Sequence, residues 1–509
     1  MQHDGNDAKL HMQHIVKCYG DLVANDDVSL TLGAGEILAV IGENGAGKTT
    51  LMKILYGMEQ PTSGSLFLNG KEIHMKDASH AISHGIGMVQ QHFMLFDPFT
   101  VAQNVVYGRE PKKGLFFDTK RANTIIQELS VKYDLPLDPQ EKIQGMPVGL
   151  RQRVEILKVL YQNADIIIFD EPTAVLIPQE VHELLKTMRK LADNGKSIII
   201  ITHKLNEVME VADRAMVMRA GKQVADVLIK DTSIEELSYM MVGRHLVKKE
   251  VPVVAPAEDV LRIEDLYVKG TETIPKLDHI SLHVSAGEIV GIAGVSGNGQ
   301  SDLEKCIFGL QKIDGGHIRL KGKEIGNLSV KEVRAAGISM IPEDRYLWGS
   351  ASEATIMETA IMAHYHKPAL SHKGILKMSG IKEFSQGIVE EFSVKTDSIQ
   401  LKTNSLSGGN AQKLIAAREI TQRTPLLLAC EPTRGVDIGA MEFIHDRLIQ
   451  KRSEGDAVLL ISSELTEIMD LSDRIYVMYD GKINGEFKRG KVKEEELGFL
   501  MVGGSNGKQ

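Results

Sequence analysis

The chain has 509 residues, of which 43% are hydrophobic and 25% are charged, and its formal net charge at pH 7 is −9. This length exceeds one compact core and predicts two large domains. The acidic balance and an aromatic fraction of 5% disfavour a nucleic-acid surface, which needs basic and stacking side chains. The three cysteines have neither metal-ligand nor disulfide spacing, so a reducing compartment is expected.

The sequence offers no segment that would cross a membrane. The N-terminal stretch MQHDGNDAKL is polar and lacks the apolar region of a signal peptide. The longest apolar runs, such as Ile198–Ile201, fall far short of the roughly 20 residues that a membrane helix needs. Any role at a membrane is therefore expected to require a partner chain.

The chain repeats itself. Gly35–Thr50, GEILAVIGENGAGKTT, returns 252 residues later as Gly287–Ser301, GEIVGIAGVSGNGQS. Asp170–Thr173, DEPT, returns 260 residues later as CEPT at Cys430–Thr433. Two collinear halves are therefore predicted, with about eight additional residues in the middle of the second half.

Each half is predicted to form one domain, residues 1–247 and 260–509, joined by a Pro- and Val-rich linker at 248–259. Short β-branched runs indicate parallel strands that are covered on both faces. More helical sections, about 92–163 and 344–423, interrupt these runs. The predicted fold of each half is a doubly wound α/β core with a helical insert.

A phosphate-binding motif lies between the first apolar strand and the helix after it. GENGAGKT, from Gly42 to Thr49, fits G-x-x-x-x-G-K-[ST] in full. The glycines let backbone N–H groups turn toward an anion, and the helix N-terminus adds positive potential. Lys48 is expected to reach the β- and γ-phosphates, and the Thr49 hydroxyl to ligate Mg²⁺. The predicted ATP-binding residues of this loop are Gly42, Glu43, Asn44, Gly45, Ala46, Gly47, Lys48, Thr49 and Thr50.

An acidic pair follows the buried run Ile166–Phe169. Parallel sheets place ligands at the carboxyl ends of their strands, where Asp170 and Glu171 would stand. Asp170 is expected to hold Mg²⁺, and Glu171 to orient or polarise the attacking water.

The order of the phosphate loop, Gln91, a signature helix, DEPT and ITHK (Ile201–Lys204) resembles the nucleotide-binding cassettes of ABC transporters over nearly the whole chain. The resemblance implies two tandem P-loop NTPase domains of the ABC type. Each would have a RecA-like parallel-sheet core, a helical subdomain and an N-terminal antiparallel β portion. It also implies ATP hydrolysis, with ATP and Mg²⁺ as cofactors.

The resemblance assigns roles to matching residues. Gln91 would link the γ-phosphate and Mg²⁺ to a membrane partner, His203 would contact the γ-phosphate, and Tyr19 would stack on adenine, although a lone tyrosine is as often a core residue. The catalytic residues would then be Lys48, Gln91, Glu171 and His203, and the metal ligands Thr49, Gln91 and Asp170.

In this family two cassettes pair head to tail, so that the Ser-Gly-Gly turn of one half caps the ATP of the other. The second half has this turn at Ser407, Gly408 and Gly409, whereas the first half has Pro147 and Val148 in its place. Proline lacks the hydroxyl and an N–H, and valine adds bulk where close approach is needed. The complete first phosphate loop is therefore expected to pair with the complete second turn.

The second half departs from the family pattern at its own phosphate site, where Glu431 is kept but lysine, glutamine, aspartate and histidine are replaced. One composite site is therefore expected to hydrolyse ATP and the other to bind nucleotide weakly at most. The residues of the degenerate site are Gly294, Gly297, Gly299, Gln300, Ser301, Glu343, Cys430, Glu431 and Ser463.

Twin cassettes without membrane spans resemble the importers of nucleosides and of monosaccharides. Blocks such as DEPTAVLIPQE and IPEDR favour the nucleoside branch, and a ribose- or galactose-type importer is the alternative. The implied partners are two integral membrane permeases and an extracytoplasmic substrate-binding protein, which would hold the chain at the cytoplasmic face of the membrane.

The apolar segment Phe93–Phe99 is expected either to dock a permease or to pack within the insert. A rival class, a soluble twin-cassette ATPase acting on ribosomes or DNA, is disfavoured by a short seam without a basic run. The three scattered cysteines also cannot build a zinc module.

Overall fold

The structure is a computed structural model in which the chain divides into two compact units, Met1–Lys248 and Lys249–Gln509. It describes residues 8–20, 22–43, 45–90, 93–173, 176, 178–243, 257–270, 275–295 and 297–504.

The first unit alternates short strands with helices. Its strands are β1 (Leu10–Tyr19), β2 (Leu22–Leu32), β3 (Ile37–Gly42), β4 (Ser63–Leu68), β5 (Lys71–Ile73), β6 (Ile86–Val89), β7 (Lys112–Lys113), β8 (Phe116–Phe117), β9 (Ile166–Asp170), β10 (Ser197–Thr202), β11 (Arg214–Arg219) and β12 (Lys222–Leu228). Its helices are α1 (Lys48–Leu55), α2 (Ala78–Ser83), α3 (Val101–Val106), α4 (Thr119–Lys132), α5 (Val148–Tyr161), α6 (Pro178–Asp193), α7 (Leu205–Val211) and α8 (Ile234–Val242).

The strands of the first unit form two large sheets. In the order β6-β9-β10-β3-β11-β12, the first five strands run parallel and β12 is antiparallel. The second sheet, β2-β1-β4-β5, is antiparallel throughout. Strands β3 and β10 are buried along their whole length, as expected of parallel strands covered on both faces. The predicted parallel core with an N-terminal antiparallel portion is therefore confirmed.

The second unit repeats this architecture. Its strands are β13 (Asp259–Val268), β14 (Leu277–Ser285), β15 (Ile289–Ala293), β16 (Gly315–Leu320), β17 (Lys323–Glu324), β18 (Ile338–Ile341), β19 (Ser371–His372), β20 (Ile375–Leu376), β21 (Leu426–Cys430), β22 (Ala457–Ser462), β23 (Arg474–Tyr479) and β24 (Lys482–Lys488). Its helices are α9 (Gln300–Ile307), α10 (Val330–Ala336), α11 (Ile356–Ile361), α12 (Met378–Glu391), α13 (Gly408–Ile420), α14 (Ile438–Ser453), α15 (Leu465–Leu471) and α16 (Glu494–Met501).

The two large sheets of the second unit have the same strand order as those of the first. The mainly parallel sheet is β18-β21-β22-β15-β23-β24, and the antiparallel sheet is β14-β13-β16-β17. Because the order matches strand for strand, the internal sequence repeat corresponds to a repeat of the whole fold.

One hydrophobic core cluster of each unit lies between the two sheets and the helix that follows the phosphate loop. In the first unit, Leu38 and Val40 of β3 pack with Leu51 and Leu55 of α1 beneath the antiparallel sheet. Burying one such side chain stabilises the fold by about 1.5–3 kcal/mol. This packing fixes the position of the loop between β3 and α1.

The helical insert lies between β6 and β9 in the first unit, and between β18 and β21 in the second. Each insert also holds a two-stranded hairpin, β7–β8 or β19–β20, and the second has a π-helical turn at Arg345–Gly349. The sequence did not predict the hairpins or this turn. Residue numbers of equivalent elements differ by 252 at β6 and β18, 255 at α3 and α11, and 260 at α5 and α13, so the additional residues are spread through the insert.

None of the helices within the described residues combines the length and the apolar character needed to cross a lipid bilayer.

Candidate active site

The phosphate loop of the first unit joins β3, a central parallel strand, to α1. Gly47 precedes the helix in the left-handed conformation, with φ of 94°. A side chain on Gly47 would collide with the Ala24 carbonyl and with Asn25, whose side-chain amide donates to the Gly47 carbonyl at 3.1 Å. This close approach and the positive φ require glycine here.

Lys48 is the buried cation of this loop, with 5% of its surface exposed. Its Nζ donates to the carbonyls of Gly42 at 2.6 Å and Glu43 at 2.9 Å. Burial lowers the pKa of Lys48, while the nearby Glu171 and Asp170 carboxylates act in the opposite direction. The loop therefore holds a positive charge that faces two carboxylates.

The rest of the loop is arranged around this lysine. The Ala46 N–H donates to the Glu43 carbonyl at 3.1 Å, and Gly45 adopts φ of 83°. Thr49 is exposed and Thr50 half-buried in the first turn of α1. Their hydroxyls are therefore placed at the N-terminus of a helix, where an anion is favoured.

Asp170 and Glu171 stand at the end of β9. Burial, assisted by the neighbouring Glu171, raises the pKa of Asp170 to about 6. Glu171 has φ of 45°, a conformation uncommon for residues with a side chain. Its N–H donates to the Ile201 carbonyl at 2.9 Å, and this bond secures the strained residue against β10.

Glu171 is paired with His203, which follows β10. His203 Nδ1 lies 3.3 Å from Glu171 Oε1. This hydrogen bond lowers the pKa of Glu171, so the carboxylate is ionised at neutral pH. An ionised carboxylate held by a histidine next to a buried lysine can accept a proton from water. The structure thus brings Lys48, Asp170, Glu171 and His203 together.

Tyr19, predicted to stack on adenine, has no contact with these four residues that the structure records. Tyr19 is half exposed at the end of β1, with the Lys17 ammonium 4.9 Å from its ring centroid. Asn44 and Gln91 lie outside the described residues.

The apolar segment that begins at Phe93 is half exposed at the start of the insert. Phe96 and Phe99 stack with ring centroids 5.2 Å apart, and Phe96 also contacts Tyr107 at 4.9 Å. The Met94 N–H donates to Glu155 at 2.6 Å, which fastens the segment to α5. Its side chains therefore both pack within the insert and remain partly open to solvent.

The helices that begin at the two signature positions have different N-termini. In the second unit Ser407 caps α13, and its Oγ accepts from the Asn410 side-chain amide at 2.9 Å and from the Asn410 N–H at 3.4 Å. In the first unit Pro147 precedes α5 without a side-chain cap. Ser407 is exposed, Gly408 is half-buried and Gly409 is buried, so the serine hydroxyl is the accessible group of this turn.

Arg345, the last residue of the IPEDR block, has contacts that the sequence did not predict. Its guanidinium donates to the carbonyls of Gly408 at 3.4 Å, Arg434 at 3.0 Å and Gly435 at 3.3 Å. It therefore ties the Ser407 turn to the loop after β21, within the second unit. The IPEDR block drew attention in the sequence only as a family resemblance.

The second phosphate loop is built around different contacts. Gln300 begins α9, and its Nε2 donates to the Val295 carbonyl at 3.2 Å. The Ser301 hydroxyl donates to Glu343 at 2.6 Å, and Glu343 also pairs with Arg434 at 3.4 Å. Gly297 and Gly299 keep positive φ values of 96° and 101°, and Gly294 remains at the end of β15. The turn is thus preserved while its cation is lost.

Glu431 is the counterpart of Glu171 and has a different charge state. Burial raises its pKa to about 7, although it accepts a hydrogen bond from the Ser463 N–H at 2.7 Å. Ser463 offers no ring to pair with it. Glu431 is therefore a weaker acid than Glu171 and keeps its proton up to near neutral pH.

Cys430 takes the place of Asp170 and is paired with Glu304, which the sequence did not single out. Burial raises the thiol pKa of Cys430, and burial also raises the pKa of Glu304 to about 7. The two side chains are hydrogen-bonded to each other. Glu304 is the residue equivalent to Met52 in the 252-residue repeat. The second unit therefore has a carboxylate on the helix, where the first has methionine, and a thiol at the strand end, where the first has aspartate.

A family model described as "ABC transporter" matches residues 25–174 and 277–434, which together exceed half of the chain. The chain belongs to the ABC transporter family, and it is an ATPase with two tandem ATP-binding cassettes. The resemblance found in the sequence is thereby confirmed.

Relatives of this chain cover nearly all of it. The nucleoside import ATP-binding protein of Lactococcus lactis subsp. cremoris is 47% identical over 98% of this chain and 99% of its own length. The guanosine import ATP-binding protein of Bacillus subtilis is 46% identical over 97% of both chains. The glucose import ATP-binding protein of Haloferax volcanii is 42% identical over 98% of this chain and 96% of its own length.

Proposed function

We propose that this chain is the ATP-hydrolysing subunit of a nucleoside importer. The observation that carries the proposal is its full-length identity of 46–47% to two proteins named for nucleoside or guanosine import. Its partners would be two integral membrane permeases and an extracytoplasmic substrate-binding protein, with this chain held at the cytoplasmic face.

The first unit would carry out hydrolysis. The phosphate loop and Lys48 bind the β- and γ-phosphates, and the buried ammonium balances charge as the terminal phosphoryl group leaves. Glu171 accepts the proton of the attacking water, and His203 keeps that carboxylate ionised and contacts the γ-phosphate. Gln91 would join this site as the residue that senses the membrane partner, and Tyr19 would stack on the adenine.

The residues of the first unit fit a Mg²⁺ ion. Magnesium takes oxygen ligands and is bound by one or two carboxylates together with the phosphates of its nucleotide. The Asp170 carboxylate and the Thr49 hydroxyl are such ligands, and Gln91 would add an amide oxygen. When bound, the ion would neutralise charge on the β- and γ-phosphate oxygens.

The second unit would supply the cap and little hydrolysis. Ser407, Gly408 and Gly409 form the complete signature turn, and we assign it to the ATP held by Lys48. At the second phosphate loop Gln300 carries no charge, and Glu431 is protonated over much of the neutral range. Without a fixed cation and a ready base, this loop would turn over ATP slowly.

The apolar side chains of the segment after Gln91 would dock a permease. Met94 and Phe96 are 54% and 46% exposed, which leaves apolar surface for a partner.

A monosaccharide importer is the second candidate, because the Haloferax volcanii relative is named for glucose import at 42% identity. The transported solute would be selected by the pore and the substrate-binding protein, so the sequence similarity of this subunit indicates the solute only indirectly.

Transport measurements would test the proposal. The membrane proteins that co-purify with the chain would be identified, reconstituted in vesicles with their binding protein, and offered nucleosides, ribose, galactose or glucose. We expect uptake and stimulated ATP hydrolysis with nucleosides. Stimulation by a sugar and not by nucleosides would favour the second candidate, and co-purification with ribosomes or DNA alone would contradict both.

A further inference from the structure

The two hairpins of the helical inserts form a matched pair. In the first hairpin, β7 and β8, Lys113 pairs with Phe116 across a two-residue turn. In the second hairpin, β19 and β20, His372 pairs with Ile375 across a turn of the same length. The two hairpins are therefore equivalent structures, one in each unit, although their turn residues differ in kind.

Both hairpins expose apolar side chains to an unusual degree. In the first, Leu115 is 97% and Phe116 80% exposed; in the second, Ile375 is 75% and Leu376 47% exposed. One further backbone hydrogen bond closes the base of each hairpin. The Asp118 N–H donates to the Pro111 carbonyl in the first hairpin, and the Lys377 N–H donates to the Leu370 carbonyl in the second. Backbone bonds thus hold each hairpin together, while its exposed side chains leave apolar surface in water.

The surroundings of the hairpins are basic in an acidic protein. Residues 109–121 contain five basic and two acidic side chains, and residues 365–382 contain four lysines and no acidic side chain. The local net charges are therefore +3 and +4 in a chain whose net charge is −9. Positive charge is concentrated where the apolar side chains are exposed.

We propose that both hairpins insert their exposed apolar side chains into the headgroup region of an anionic lipid membrane. Apolar side chains enter the boundary between headgroups and acyl chains, while flanking lysines extend to the anionic lipids. The proposal rests on the proposed function only in that an importer subunit works beside a membrane.

The comparison of the two hairpins favours lipid over a protein partner. Phe116 and Phe117 are replaced in the second hairpin by Ile375 and Leu376, so apolar character is kept while side-chain shape is not. A protein pocket selects shape, because interfaces pack as densely as protein interiors. A fluid lipid surface selects apolar area and charge, and these are the properties that the hairpins share.

Vesicle binding by the purified full chain, without permeases, tests the proposal. Vesicles of phosphatidylcholine would be compared with vesicles that also contain phosphatidylglycerol at about one lipid in three. We expect the chain to float with the anionic vesicles and to be released as salt rises from about 0.05 to about 0.5 M. Replacing Phe116, Leu115, Ile375 and Leu376 by serine should weaken this binding at least about tenfold.

Lysine and control variants complete the test. Lys112→Gln with Lys113→Gln should weaken binding about fivefold or more, because charge near an anionic surface contributes to the affinity. Val131→Ser with Leu310→Ser removes exposed apolar side chains elsewhere in both units and should leave binding unchanged. ATP hydrolysis and melting temperature are measured for each variant, and we expect both to be preserved.

Three results would overturn the proposal. The chain could fail to bind anionic vesicles at low salt while hydrolysing ATP, which would leave the proposed function standing. The serine variant could bind as well as the unaltered chain. The serine variant could also bind vesicles normally but no longer co-purify with permeases in detergent, which would make the hairpins a protein-docking surface. Vesicle binding without ATP hydrolysis would instead count against the proposed function.

Discussion

Glu171 and Glu431 occupy the same position in the two units, and their neighbours give them different charge states. The His203 hydrogen bond lowers the pKa of Glu171, whereas burial raises that of Glu431 to about 7. Ser463 replaces the histidine, Glu431 is more deeply buried, and no counterpart of the Lys48 ammonium acts on it. Only the carboxylate of the first unit is fully ionised at neutral pH, as a proton acceptor must be.

Removing the partner of Glu171 should therefore change the pH dependence of hydrolysis. In the His203→Ala variant burial is no longer opposed by this hydrogen bond, so the pKa of Glu171 should rise. A rate that requires ionised Glu171 is lost as pH falls through that pKa, so the acid limb of the rate should move to higher pH. The pH profile of kcat/KM measures this shift.

His182→Ala is the matched control, since His182 is an exposed histidine that pairs with Glu210 on the same unit. It should leave the acid limb in place. An acid limb that stays in place in His203→Ala would show that Glu171 does not depend on His203 for its charge.

Glu304 and Cys430 of the second unit occupy the positions of Met52 and Asp170 in the first. Substituting both residues by their first-unit equivalents tests whether they act as a pair. Cys430→Asp alone would place a second carboxylate against buried Glu304 and should lower the free energy of unfolding by about 3 kcal/mol. Adding Glu304→Met gives the second unit the methionine and aspartate of the first and should recover about 2 kcal/mol of that loss. Urea unfolding of the two single variants and the double variant measures the coupling.

Cys306 provides the control for this cycle. It is buried on the same helix as Glu304, two residues away, and side chains at that spacing do not face each other. Cys306→Asp should destabilise the protein without being rescued by Glu304→Met. Additive effects in the Cys430 cycle would mean that the two residues do not act as a pair.

At the scale of elements, helices α5 and α13 differ at the residue that precedes each helix, which is Pro147 before α5 and Ser407 before α13. Ser407→Ala removes the hydroxyl that accepts from the Asn410 N–H and should cost about 1 kcal/mol of unfolding free energy. Ser405→Ala is the control, because that hydroxyl donates to the Lys402 carbonyl outside α13. Equal losses in urea unfolding would show that Ser407 does not cap the helix.

How far the sequence predicts the elements depends on their length and burial. Strands β3, β9 and β10 were predictable because strands buried on both faces are continuous apolar runs. The hairpins were not, because strands of two residues have no period to detect. The π-helical turn at Arg345–Gly349 likewise has no sequence period of its own.

The site was predictable to the extent that its residues lie in motifs. Lys48, Asp170, Glu171 and His203 were found because a phosphate loop and strand ends converge in this fold. Glu304 was missed because α9 presents it beside Leu303 and Ile307, an ordinary buried helix face. Comparison with Met52 across the repeat is the signal that could have found it.

On the scale of the whole molecule, two units with one strand order have specialised in opposite directions. The first keeps the cation and the ionised base, and it has lost the capped signature turn. The second keeps the capped turn, and its phosphate loop carries Gln300 and a pairing of Glu304 with Cys430. Each unit therefore retains the features that the other lacks.

ATP turnover by Glu171→Gln and Glu431→Gln tests this division of labour most directly. Both changes remove a carboxylate at a strand end, and a catalytic base typically contributes about 100-fold or more to the rate. We predict that Glu171→Gln lowers kcat by at least about 100-fold and that Glu431→Gln changes it less than about threefold. Comparable losses in the two variants would contradict the claim that hydrolysis belongs to the first unit.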